Sequence, residues 1–162
     1  MADKSVEVCI HYLAIAYNHT YICYKGVLFR CVYFWRFHEA RECSQKLDTL
    51  ANIQIYGIKS VEYLFQVGYA ERLQIETIAI YETYNAGAVK KIESLNPSGQ
   101  WEIIWSTQQV RLITSSRIFS PNIQRKKYPT DSIRITVDCS LSASYVEIDA
   151  IKITGIRASE IY

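Results

Sequence analysis

No Gly-x-Ser-x-Gly elbow, no His-Glu-x-x-His pair and no phosphate-cradling glycine loop occurs in this sequence. The common hydrolase, zinc-protease and nucleotide-binding signatures are therefore excluded. The three histidines, His11, His19 and His38, all fall in the first 38 residues. The five cysteines (Cys9, Cys23, Cys31, Cys43 and Cys139) are odd in number and include no Cys-x-x-Cys spacing. That fits neither a zinc ribbon nor a closed disulfide framework, so they read as small, reduced apolar residues. Charge of one sign is also scarce. A net +2 is too small to mark nucleic acid or an anionic membrane as the main partner. The apolar stretch over 8–37 is broken by His11, Asn18, His19, Lys25, Arg30 and Arg36. No run reaches the roughly 18–20 residues that a membrane helix needs. Asp3, Lys4 and Glu7 precede the first apolar run with no cleavage site after it, so no secretory leader is expected.

What is present is β-favouring side chains. There are 13 Tyr, 5 Phe and 3 Trp, with 49% hydrophobic and 21% charged residues in a chain of 162. That is a globular composition of about one domain. Val6, Val8, Ile10 and Tyr12 alternate with Glu7, Cys9 and His11, which predicts a strand, and runs at 20–24 and 27–37 flank Lys25-Gly26 as a hairpin. Ala40, Cys43, Leu47 and Leu50 recur at three- and four-residue steps among charged residues, which predicts one helix over about 38–50. From Val61 onward short β-rich runs recur: 61–67, 74–83, 88–94, 101–106, 110–119, 132–138 and 145–154. Asn85-Ala86-Gly87, Asn96-Pro97-Ser98-Gly99, Ser120-Pro121-Asn122 and Tyr128-Pro129-Thr130-Asp131 separate them. Seven such strands predict an all-β sandwich or jelly roll.

The last strand holds a sharper signal. Val146 and Ile148 share one phase, while Ile151 and Ile153 share the other. Both pairs can face one core only if an extra residue stands between them, so a bulge or bend is predicted near Asp149-Ala150.

Four ordered segments carry a resemblance: Ile80-Tyr81-Glu82-Thr83-Tyr84-Asn85-Ala86-Gly87-Ala88-Val89, Trp101-Glu102-Ile103-Ile104-Trp105-Ser106, Tyr128-Pro129-Thr130-Asp131-Ser132-Ile133-Arg134-Ile135 and Glu147-Ile148-Asp149-Ala150-Ile151-Lys152-Ile153-Thr154-Gly155. Over 61–157 they resemble the discoidin-like (galactose-binding-like) domain that precedes the F-box in a mitochondria-associated F-box/leucine-rich-repeat family. The first segment is also distantly similar to one in pappalysin-type proteins. Ala86 stands where that pattern has Pro, and residues 1–50 have no recognisable counterpart. The resemblance implies a discoidin-like jelly-roll β-sandwich over 51–162, preceded by a divergent segment over 1–50. It implies a non-catalytic module for protein recognition or scaffolding, related to a ubiquitin-ligase adaptor, in a cytoplasmic or mitochondria-associated setting. Neither an F-box nor leucine-rich repeats are expected within this chain. The alternative is a carbohydrate- or lipid-headgroup-binding module of discoidin type. A third reading has residues 1–50 mediating self-association.

Four residues are candidate ligand contacts. Tyr84 and Asn85 would project at the sandwich rim, although Asn85-Ala86-Gly87 also reads as a plain turn that uses left-handed backbone. Trp101, Ile103 and Trp105 lie two apart and are expected on one face, either as a stacking platform or as core. Arg125-Lys126-Lys127 reads as a solvated basic loop. No metal site and no cofactor is expected; Glu147, Asp149 and Asp138 are modest calcium candidates. Glu147 and Asp149 read as solvent-facing or bulge-capping rather than as an acid/base pair, so no enzyme is expected.

Overall fold

A computed structural model describes residues 5–16, 19–22, 52–57, 62–142 and 145–161. The helix predicted over 38–50, the Lys25-Gly26 turn and the run at 27–37 lie outside the described residues. Among the described residues nine strands occur in chain order: β1 (Ser5–Ala16), β2 (His19–Ile22), β3 (Asn52–Gly57), β4 (Glu62–Tyr84), β5 (Val89–Leu95), β6 (Trp101–Ser106), β7 (Arg117–Phe119), β8 (Thr130–Asp138) and β9 (Tyr145–Arg157). Among the described residues the only helical element is a short 3-10 turn, Ala158–Glu160. The described part of the chain is all-β, as its alternating pattern predicts.

The organising element is β4. Runs 61–67 and 74–83, predicted as separate strands, form one strand of 23 residues. Its first part, Glu62 to Gly68, is flanked by β8 and β3. Its second part, from Leu73 to Tyr84, pairs with β9 on one side, and Ile80 to Glu82 pair with β7 on the other. β5 and β6 extend the β8 side, while β1 and β2 extend the β9 side, so the sheet order is β2-β1-β9-β4-β8-β5-β6. All of these pairs are antiparallel. β1 runs along β9 in one unbroken register from Ser5↔Ile156 to Ala16↔Tyr145. The described N-terminal strand thus joins the same sheet.

The sheet curls because both parts of β4 serve one core. Phe65 and Val67 from the first part meet Ile78 and Ile80 from the second, with Ile92, Ile133, Ile135, Val137, Ile148 and Ile153, in one cluster. Each of these side chains is essentially inaccessible. Burying one stabilises by about 1.5–3 kcal/mol over exposure. The buried phase of β4 changes from Leu73 and Ile75 to Ile78 and Ile80. A register shift against β9 between Ile75 and Thr77 leaves Glu76 as the inserted residue. Without it the period of two would turn Ile78 and Ile80 outward.

β9 carries the bulge expected near Asp149-Ala150. Tyr81 pairs with Ala150 and Glu82 with Ile148, so Asp149 is the extra residue. Val146, Ile148, Ile151 and Ile153 are all buried as a result. By contrast, the strand predicted over 110–119 is mostly irregular. Only Arg117–Phe119 is strand, and Ile113 makes an isolated bridge to Ala86. This segment leaves the sheet because it crosses the end of the molecule to reach the turn after β4.

Two predictions follow from this packing. A Cβ on Gly155 would stand 2.3 Å from the Gln74 carbonyl oxygen and 2.9 Å from its carbon. Neither backbone atom can yield without breaking the β4–β9 ladder, so Gly155→Ala is expected to destabilise by about 1–3 kcal/mol in urea unfolding. The second prediction concerns Glu147, half-buried beside the bulge. Burial pushes its carboxyl above the usual range against a hydrogen bond with Thr83, and the Asp149 charge adds to the rise. The folded state therefore holds this proton more tightly than the unfolded chain. Ionisation costs stability as pH rises, and the cost vanishes below about pH 4, where both states are protonated. Glu147→Gln is expected to raise Tm at about pH 7 and to do so less at about pH 4, measured by thermal melts at both values.

Candidate functional site

The turn between β4 and β5 sets up the end of the sandwich. Asn85 has φ of 48° and Gly87 of 93°. At Gly87 glycine is required twice over, because a Cβ would lie 1.9 Å from the Arg111 carbonyl oxygen. That closeness lets residues 111–113 run against the turn: Arg111 N–H donates to the Gly87 carbonyl at 3.2 Å and Ile113 N–H to that of Ala86 at 2.8 Å.

Beneath the turn lies Glu82, 1% exposed. It continues the buried phase of Ile78 and Ile80, and a carboxylate there needs partners. It has them on both oxygens. Oε1 accepts the Gly87 N–H at 2.9 Å and Oε2 accepts Arg117 Nε at 2.5 Å. The Arg117 guanidinium in turn lies 4.5 Å over the Phe119 ring centroid. Phe119 meets Trp105 edge-to-face, with centroids 5.0 Å apart at 71°. Glu82, Arg117, Phe119 and Trp105 thus form a continuous relay from the buried end of β4 to the surface.

Over this relay opens a groove of about 480 Å³, lined in part by Trp105, Phe119, Arg117, Arg111, Gln108 and Gln109. No acidic side chain lines it. Its chemistry is an aromatic surface bordered by guanidinium and amide donors. Such an arrangement binds and orients a ligand through stacking and hydrogen bonds. A smaller cavity between β5 and the 123–130 segment is lined by the Ser94 and Tyr128 hydroxyls, which bond to each other at 3.0 Å.

The four sequence-derived candidates separate. Trp105 lines the groove. Tyr84 is 42% exposed at the same end, and Asn85 donates from Nδ2 to Ser142 Oγ at 3.0 Å; neither is among the groove-lining residues. Trp101 lies elsewhere. The expectation that Trp101, Ile103 and Trp105 share one face is corrected by a register shift on β6: Trp105 pairs with Ile92 but Ile103 pairs with Glu93, leaving Ile104 inserted. Trp105 therefore turns to the side of the fully buried Ile92, while Ile103, 49% exposed, and Trp101 take the outer face. There the Arg134 guanidinium lies 3.9 Å over the Trp101 ring.

Sequence reasoning missed Glu82, Arg111, Arg117 and Phe119. For Glu82 a signal existed, since a carboxylate in phase with Ile78 and Ile80 announces a buried partner. For the others none did, because the segment that carries them is irregular. In the basic run, Lys126 pairs with Glu102 at 3.0 Å and Arg125 is largely exposed. Among the described residues no three His, Cys, Asp or Glu side chains come together as metal ligands. The buried Cys139 thiol is pushed up to about 11 by burial and by the Asp138 charge, which holds it as a thiol at neutral pH. No helix among the described residues is long and apolar enough to cross a membrane.

Fold and groove together define an all-β chain with an aromatic, cation-bordered groove at one end. No family model matches the chain. It is 30% identical over 111 residues to the F-box/LRR-repeat protein 4 of Bos taurus, covering 62% of this chain and 18% of that protein. The chain thus spans less than a fifth of that relative. Among solved structures, CpGH89CBM32-6 produced by Clostridium perfringens aligns at TM-score 0.45 with 17% identity, covering 67% of this chain and 94% of that one.

The relay makes a stability prediction. Arg117→Met strands the Glu82 carboxylate in the interior and is expected to cost about 3–5 kcal/mol. Adding Glu82→Gln removes the stranded charge, so the double variant is expected to unfold at higher urea than Arg117→Met alone. A double-mutant cycle by urea denaturation checks this.

Proposed function

We propose that this chain is a non-catalytic recognition module that uses the groove beside Trp105 to hold a protein partner. Its setting would be that of a recognition or scaffolding part related to an F-box-type ubiquitin-ligase adaptor. The observation that carries this reading is the groove itself. An aromatic pair, Trp105 and Phe119, is held in place from below by Arg117 and the buried Glu82. Aromatic and arginine side chains fixed in a concavity are the groups that concentrate binding energy at protein interfaces. The similarity to the F-box/LRR-repeat protein 4 supports a protein-recognition role and an intracellular, cytoplasmic or mitochondria-associated, setting. Within the groove no nucleophile stands beside a general base, as covalent or acid/base chemistry would need.

A second reading has one observation in its favour. The Gln108 and Gln109 amides border the same aromatic surface, and stacking with amide hydrogen bonds also suits a sugar ring. A glycan or lipid headgroup is therefore the alternative occupant.

Affinity capture with the wild-type chain, the Trp105→Ala variant and a Gln108→Ala/Gln109→Ala variant tests the reading, with circular dichroism establishing that each is folded. The expectation is a set of proteins held by the wild type and lost with Trp105→Ala, a loss of about 2 kcal/mol or more for an anchor of this kind. Identical partner sets for folded wild-type and variant chains would sink it. Binding only to a glycan array or to phosphatidylserine-containing vesicles would replace the protein partner with the alternative.

A further inference from the structure

We infer that the occupant of this groove is a carboxylate-bearing peptide segment of a partner protein, its acid held between Arg117 and Arg111. The inference rests on the recognition reading above and adds the chemical class of the ligand. Three observations carry it.

The first is how Arg117 is used. Its Nε is committed to Glu82, yet among the described residues no hydrogen bond engages its Nη1 or Nη2 amino groups. A guanidinium offers five N–H donors in a planar fork. Fixing one edge through Nε leaves the other edge pre-oriented, so a ligand oxygen meets donors whose rotamer is already set. The second observation is Arg111, which is exposed on the groove wall and has no ion-pair partner among the described residues. Its backbone is nonetheless held, through its N–H to Gly87, so its side chain springs from a fixed point.

The third is the charge balance. Glu82 is buried with both oxygens engaged and offsets Arg117, while Arg111 has no counter-ion in the lining. The groove therefore carries surplus positive charge above an apolar aromatic floor. A neutral sugar would leave that charge uncompensated. A carboxylate with an apolar neighbour complements both parts, with charge-assisted bonds to the guanidinium groups and contact with Trp105 and Phe119. The occupant is accordingly a short segment in which Asp or Glu adjoins a large apolar side chain.

The test pans a random peptide library displayed on phage against the full chain. Enriched peptides are then titrated by fluorescence anisotropy against wild type, Arg111→Gln and Trp105→Ala. The expected result is enrichment of Asp or Glu beside an apolar residue, with affinity falling about tenfold for Arg111→Gln. Raising salt from about 0.05 to about 0.5 M should also weaken it. Arg111 is exposed, so its replacement leaves the fold intact. If Trp105→Ala abolishes binding while Arg111→Gln and salt do nothing, the acidic class is overturned and the recognition reading survives. If neither substitution matters, both fall. Enrichment without acidic bias, or signal only from sialylated glycans on an array, overturns the peptide inference.

Discussion

A strand that serves both arms of one curled sheet is the constraint on which this molecule depends. β4 must satisfy its backbone groups toward β8 and β3 at one end and toward β9 and β7 at the other. Buried peptide groups left unpaired are costly, so the crossing can occur only where the register is allowed to slip. It slips between Gly68 and Leu73 against β8, and again around Glu76 against β9. Between these points the strand changes partners without losing its core-facing residues. The inserted Glu76 turns the next pair, Ile78 and Ile80, back inward, which is why Phe65 and Ile80 can share one cluster.

The groove inherits its geometry from the same strand. Glu82 is the last core-facing residue before β4 ends, and as a carboxylate it cannot simply be packed. Its two oxygens draw in the Gly87 amide from the following turn and Arg117 from β7. Those contacts tie the turn to β7, and the ring of Phe119 comes with Arg117 because the two lie on one short strand. Trp105 reaches the same place only through the bulge at Ile104. Two departures from regular pairing, on β9 and β6, thus serve different ends. One keeps the core filled, and the other delivers an aromatic side chain to the proposed binding end.

Much of the fold was legible because period-two alternation is a local property. Ile133, Ile135 and Val137 alternate with Arg134, Thr136 and Asp138 and are fully buried, although Thr136 on the opposite face is buried too, and the phase change from Ile148 to Ile151 announced the bulge at Asp149. The same logic failed on β6, where Trp101, Ile103 and Trp105 look like one face. Ile104 is apolar, as are its neighbours Ile103 and Trp105, so no polar residue marks the slip. A period can reveal an inserted residue only when the two faces differ in polarity. The site was less legible still. Arg111, Arg117 and Phe119 sit in a segment whose course is dictated by contacts with the Ala86-Gly87 turn, and those contacts are invisible to a pattern read along the chain.

Burying Glu82 carries a cost, and the proposed binding role gives that cost a use. An apolar side chain there would pack as well, and replacing a buried ion pair by packed apolar groups is often neutral or stabilising. What an apolar residue would not do is hold Arg117. A free arginine on a short edge strand samples many rotamers, and each must be given up when a ligand binds. With Nε anchored from below, that ordering is already made in the unliganded protein, and the cation stays over Phe119. Glu82 then acts as a positioning residue. Under the proposed recognition role, it gives up stability in the interior to fix a donor and an aromatic ring at the surface.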